Sequence, residues 1–142
     1  MTEAVVVLIG AAVLLAGSLL IVWLGRLSER GTLARNYLAG LRTRQTLASD
    51  EAWIAGHRAG AKSMIVGGAG GAVGAVAGIV FGVLFMLGTV TQAATENLIA
   101  CAVVVSCGWM IIWVLVATAK ANRAAREVNE RARSAASTNS RA

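Results

Sequence analysis

The chain of 142 residues is 57% hydrophobic and 14% charged, with a mean hydropathy of +0.70. That leaves too little polar surface to cover a water-soluble globule. Its formal charge of +6 would point to nucleic acid in a soluble protein, but all thirteen Lys and Arg lie either between the first and second apolar runs or beyond the third, so no nucleic-acid partner is expected.

Three uncharged runs cover about 4–25, 63–88 and 97–119. Each reaches the ~20 residues that a helix needs to cross a ~30 Å hydrocarbon layer. Proline is absent, which suits uninterrupted helices. The expected fold is an all-α integral membrane protein with three transmembrane helices and an interfacial loop and helix between spans 1 and 2. It is read as a single membrane domain over 1–142. By the positive-inside rule the 26–62 segment and the basic 120–142 tail are cytoplasmic, and the N-terminus and the turn near 89–96 lie outside. The basic residues beside the spans predict contact with anionic lipid headgroups.

The first run follows a short acidic lead without a positively charged region or a cleavage pattern, so it reads as a retained span. Trp23 is placed as an anchor near its cytoplasmic end, and Gly10 and Gly17 offer a smooth face to a neighbouring helix. The polar stretch after it contains the only His and the only Tyr of the chain. Gly31 and Gly40 punctuate it. Ser49 is a good N-cap, with Asp50 and Glu51 complementing the helix dipole. On the helix it starts, Trp53 and His57 share one side with Gly60 and Ala61. Arg58 and Lys62 are placed to reach headgroups, so 50–62 reads as an interfacial helix leading into span 2.

Span 2 is dense in glycine. Gly70, Gly74, Gly78 and Gly82 recur every four residues, and Gly67 stands four before Gly71. In lipid this pattern makes a groove for close helix packing, by another helix of the chain or by another subunit. A nucleotide loop is excluded, because Val73 stands where the third Gly of G-x-G-x-x-G belongs and no Lys-Ser/Thr follows. Span 3 has small residues at Ala102 and Ser106, and Trp109 and Trp113 read as packing or interface residues. Cys101 and Cys107 point about 120° apart on a helix, so they are expected as buried, unbridged thiols. The helical pattern continues through Arg133, with Glu127 and Arg131 spaced for an i,i+4 pair. The last nine residues read as disordered in isolation.

No Asp, Glu, Lys, Arg or His lies inside a span, which argues against a proton or ion pathway and an independent transporter. No metal-ligand grouping and no nucleophile–base–orienter set is visible, so neither a cofactor nor enzymatic activity is expected. The polar segment does carry a pattern. Asn36, Gly40-Leu41-Arg42-Thr43, Thr46, Trp53 and His57-Arg58 stand at the fixed spacings N-x-x-x-G-L-R-T, T-x-x-x-x-x-x-W and H-R, and this resembles the signature of the SdpI family. Arg44 departs from it, since many members have Pro there, and longer members carry more spans.

The resemblance implies a bacterial cytoplasmic-membrane protein that works by contact with another protein. Founding members protect the producing cell from a secreted toxin and signal by holding a repressor at the membrane. The motif residues Asn36, Gly40, Arg42, Thr43, Thr46, Trp53, His57 and Arg58 would then form the partner-binding surface. A reading from a different class makes the chain an accessory structural subunit of a larger membrane complex, such as a respiratory supercomplex.

Overall fold

The computed structural model describes residues 2–36 and 38–139. Tyr37 and the tail residue Arg141 lie outside them. The described chain is three helices, α1 (Thr2–Arg30), α2 (Asp50–Met86) and α3 (Gln92–Asn139), and all three contain a stretch long and apolar enough to cross a membrane. This is the expected three-span, all-α membrane fold. The 50–62 helix that leads into span 2 forms the first turns of the 37-residue α2, because nothing from Ala52 to Lys62 interrupts helical propensity strongly enough to break it.

Both α1 and α2 end on a Gly-Thr pair in the same way. Gly31 takes φ +69°, its N–H donates to Ser28 O at 3.1 Å, and the Thr32 N–H donates to Leu27 O at 3.1 Å. Gly88 and Thr89 repeat the pattern on Phe85 O and Leu84 O at 2.9 and 3.1 Å. These are Schellman caps, which satisfy the last carbonyls of each helix.

The chain divides into two compact units, Met1–Val22 with Val66–Trp113, and Trp23–Ile65 with Val114–Ala142. In the first, the glycines of α2 meet both other helices. A Cβ added at Gly68 would stand 2.7 Å from Ser18 O, and one at Gly71 2.6 Å from Ser18 Oγ. Gly78 faces Ala11, while Gly67, Gly70 and Gly74 face Trp113, Trp109 and Ser106 of α3. Gly82 is buried as well. The groove is therefore filled from within the chain on two sides, an assignment that residue spacing left open. Buried hydroxyls bond back to their own helices, Ser18 Oγ to Leu14 O at 2.7 Å and Ser106 Oγ to Ala102 O at 2.6 Å. Trp109 Nε1 donates to Val66 O at 3.1 Å.

Four expectations are corrected here. Nothing lies within 4 Å of a Cβ built on Gly10 or Gly17, so α1 packs through Ala11, Ser18 and Val22 instead. Cys101 and Cys107 are exposed. They share the outward surface of α3 with Val104 and Ile111, an apolar surface suited to lipid rather than water. Glu127 pairs with Arg123 at 3.4 Å, not with Arg131, and Arg126 takes Glu130 at 2.6 Å. The helix also persists through Ser134 to Asn139, a stretch free of Gly and Pro whose hydroxyls at Ser134 and Thr138 bond back one turn.

Candidate functional site

In the second unit the loop between α1 and α2 is clamped over the first turns of α2. The helix begins where Ser49 Oγ accepts the Ala52 N–H at 3.1 Å, the expected N-cap. Its early residues Trp53, Gly56, His57 and Gly60 recur at three- and four-residue steps and so form one stripe. All four are buried. The Trp53 and His57 rings lie with centroids 4.0 Å apart and planes 33° from parallel. Sequence spacing placed this pair on one side of a helix at the membrane surface; it lies instead inside the protein, with Trp53 0% and His57 1% exposed.

Both rings bind the loop by their edges. Trp53 Nε1 donates to Leu33 O at 2.8 Å. His57 Nε2 accepts the Leu41 N–H at 2.9 Å, while Nδ1 lies 2.9 Å from Trp53 O. A peptide N–H only donates and a carbonyl only accepts, so this pair of partners selects the neutral imidazole with its proton on Nδ1. Burial holds the His57 pKa below 6.5, partly opposed by the bond to the Trp53 carbonyl.

The loop is shaped to reach those atoms. Asn36 Oδ1 accepts the N–H groups of Leu38 and Ala39 at 2.9 and 2.8 Å, and its Nδ2 donates to Ala34 O at 3.0 Å. This Asx turn leads into Gly40. Gly40 has φ +117° and lies so close to the His57 ring that an added Cβ would collide with Nε2. Both the conformation and the approach require glycine. Beyond it, Thr43 and Thr46 bond reciprocally. Thr46 Oγ1 accepts the Thr43 N–H at 2.9 Å and donates to Leu41 O at 2.7 Å, and Thr43 Oγ1 accepts the Thr46 N–H at 3.3 Å. Thr46 is fully buried.

Helix α3 closes the unit through residues that motif reasoning missed. Ala117, Ala121 and Ala125 are all 0% exposed. Ala117 O stands 2.9 Å from a Cβ built on Gly60, and Ala121 O 3.1 Å from one on Gly56. The signal was available as G-x-x-x-G at 56–60 facing A-x-x-x-A-x-x-x-A at 117–125, a small-residue pattern on both helices. Asn129 Nδ2 holds the loop from above, donating to Gln45 O at 3.1 Å, and Lys120 Nζ donates to Ser63 Oγ at 3.0 Å.

The predicted motif residues therefore separate into two groups. Gly40, Thr43, Thr46, Trp53 and His57 converge on one buried network, with Asn36 shaping its entry. Arg42 and Arg58 stay exposed, as does Arg44. The Arg58 guanidinium lies over Gly31, and Arg35 pairs with Asp50 at 2.8 Å. Beside them an open groove of about 490 Å³ is bordered by Gly31–Arg35 backbone, Asp50, Trp53 and Ile54.

Residues 32–119 match the family model of the SdpI/YfhL protein family. The match begins at the loop and ends just before Lys120, so it takes in the clamp and both later spans. No curated protein and no solved structure matches the chain.

Proposed function

The chain belongs to the SdpI/YfhL protein family, and from that membership we propose a multi-pass protein of the bacterial cytoplasmic membrane that acts by protein contact, in an immunity or regulatory role. In this reading the N-terminus is outside, and the clamped loop and the C-terminal helix face the cytoplasm. The observation that carries it is the division of the motif. Its buried members hold the loop, whereas the motif residues Arg42 and Arg58 are exposed, as is the neighbouring Arg44. A guanidinium presents a planar donor fork suited to carboxylates or phosphates, so a partner would be recognised by acidic groups. The reading is non-enzymatic. Both nitrogens of His57 are engaged by backbone, and using the ring as a base would mean releasing Leu41.

Toxin challenge of a deletion strain tests this. Resistance restored by the wild-type chain and not by Arg42→Ala, with equal amounts in the membrane, supports it; full rescue by Arg42→Ala removes the exposed arginine from the account.

A second reading, an accessory structural subunit, draws on the first unit. An apolar groove of about 430 Å³ opens there between α2 and α3, bordered by Gly70, Gly74, Ala102, Ser106 and Trp109, and small residues favour a close helix neighbour. Stable co-purification with respiratory subunits in mild detergent would favour this reading over immunity as the main role.

A further inference from the structure

The loop between α1 and α2 is fastened at both ends and in the middle, and only the middle fastening titrates. Near its start Trp53 Nε1 donates to Leu33 O at 2.8 Å. Near its end Asn129 Nδ2 donates to Gln45 O at 3.1 Å, and Arg35 Nη1 to Leu47 O at 3.1 Å. Indole, carboxamide and guanidinium all keep their charge state around neutral pH. In the middle the fastening is the Leu41 N–H on His57 Nε2 at 2.9 Å, and imidazole does change charge in that range.

The ring has no way to hold a second proton where it lies. Nδ1 is engaged with Trp53 O, and a proton on Nε2 would face the Leu41 N–H. Among the described residues no carboxylate forms an ion pair with the ring. The charged groups of the surrounding elements are engaged elsewhere or exposed. On α2, Asp50 pairs with Arg35 of the loop, Glu51 is exposed and the Arg58 guanidinium lies over Gly31. Arg42 and Arg44 of the loop are exposed, as are Glu29 and Arg30 at the end of α1. Helix α3 meets this part of α2 with alanines at Gly56 and Gly60, its Lys120 bonds Ser63 Oγ, and its Arg123 pairs with Glu127. An imidazolium at this site therefore needs water, and the Gly40–Leu41 backbone stands in the way.

That backbone can move without undoing the rest of the loop. The Asn36 side chain closes its turn on Ala34, Leu38 and Ala39, and Thr43 and Thr46 close theirs on each other. Neither turn takes a bond from His57. Leu41 O stays with Thr46 Oγ1, so movement is confined to the Gly40 side, where glycine supplies the backbone freedom of a hinge.

We propose that the Gly40–Leu41 stretch is a proton-operated latch: protonation of His57 lifts it from α2 and lets water reach Nε2, while both ends of the loop stay fastened. The latch is closed when the ring is neutral and opens on acidification. Arg42 follows directly, so opening shifts one of the arginines of the contact surface proposed above. That consequence rests on the contact reading; the latch itself does not.

Nuclear magnetic resonance of the full chain in nanodiscs tests it, with 15N in the histidine ring and in the backbone. His57 is the only imidazole in the chain, so the ring signals are unambiguous. At pH 8 the expected ring is neutral with its proton on Nδ1, and the Leu41 amide is protected from hydrogen exchange. On acidification the ring should take a proton, and in the same pH range Leu41 protection should fall about tenfold or more, corrected for intrinsic exchange. The Trp53 indole N–H and the Ala121 amide should stay protected. His57→Gln, which can accept the Leu41 N–H without titrating, should make Leu41 protection independent of pH. The parent measurements decide the matter even if that variant does not fold. An unprotected Leu41 at pH 8 overturns the latch, as does a protonated ring with Leu41 still protected. Loss of protection at Leu41, the Trp53 indole and Ala121 together also overturns it, since that is unfolding of the whole unit. None of these readouts involves a toxin or a partner, so failure of the contact reading leaves them unchanged.

Discussion

The peptide N–H of Leu41 donates to Nε2 of His57 across 2.9 Å, and this bond ties the loop to α2 only while the imidazole is neutral. A proton on Nε2 would set donor against donor, and Nδ1 is already committed to the Trp53 carbonyl. Burial opposes the charged ring in the same direction, lowering its pKa from 6.5.

A pH dependence with a defined sign follows. Because the folded pKa is depressed, the unfolded chain binds the extra proton first, and stability rises with pH wherever that is so. The contribution of His57 should be fully present above about pH 6.5 and be lost as pH falls from there through the folded pKa. Thermal unfolding in detergent between pH 8 and pH 5 should show this loss, and His57→Gln should flatten it. An unchanged slope in the variant would assign the pH response to other groups.

Gly40→Ala should be among the most damaging small substitutions in the chain. It combines left-handed backbone, costing about 1–3 kcal/mol for a side chain, with a collision at His57 Nε2. The expected readout is a lower unfolding temperature together with increased iodide quenching of Trp fluorescence as Trp53 is uncovered. Gly10→Ala, with nothing within 4 Å, should lose nothing on either measure.

At Thr46 the hydroxyl and the methyl can be separated. Thr46→Val keeps the shape but strands Leu41 O and the Thr43 N–H in a buried site, at about 1–3 kcal/mol for an unsatisfied group. Thr46→Ser keeps those bonds and gives up only the methyl that packs on Gly56, about 0.8 kcal/mol. Denaturation of both variants should rank Val below Ser; the reverse order would make packing, not the hydroxyl, the main contribution.

Among the spanning glycines, the neighbour decides the cost. A Cβ at Gly68 meets backbone, Ser18 O at 2.7 Å and Val22 N at 3.0 Å, and backbone cannot rotate away. Gly68→Ala should therefore push α1 from α2 and destabilise the protein, whereas Gly17→Ala, with open space, should be neutral. A crosslink between cysteines placed on α1 and α2 next to this contact, formed readily in the parent and slowly in Gly68→Ala, would report the separation directly.

Much of the molecule was legible one residue at a time. Length and charge placement of the three apolar runs required three spanning helices, since a backbone in lipid must bond to itself, and local chemistry at Ser49 set the start of α2. The motif spacing likewise identified Gly40, Thr43, Thr46, Trp53 and His57 as a group. Their direction was hidden. Helical periodicity puts Trp53 and His57 on one face but cannot say what covers it. That depends on a loop returning from sixteen residues upstream to offer Leu41 N to the imidazole, and on α3 bringing Ala117, Ala121 and Ala125 from the far end of the chain. The same holds for Gly10, Gly17 and the two cysteines, whose surroundings follow from how three helices rotate against one another. Local propensity and polarity act on the chain where they are written; burial is a property of neighbours distant in sequence, and in this protein it placed His57 inside and left Arg42, Arg44 and Arg58 exposed.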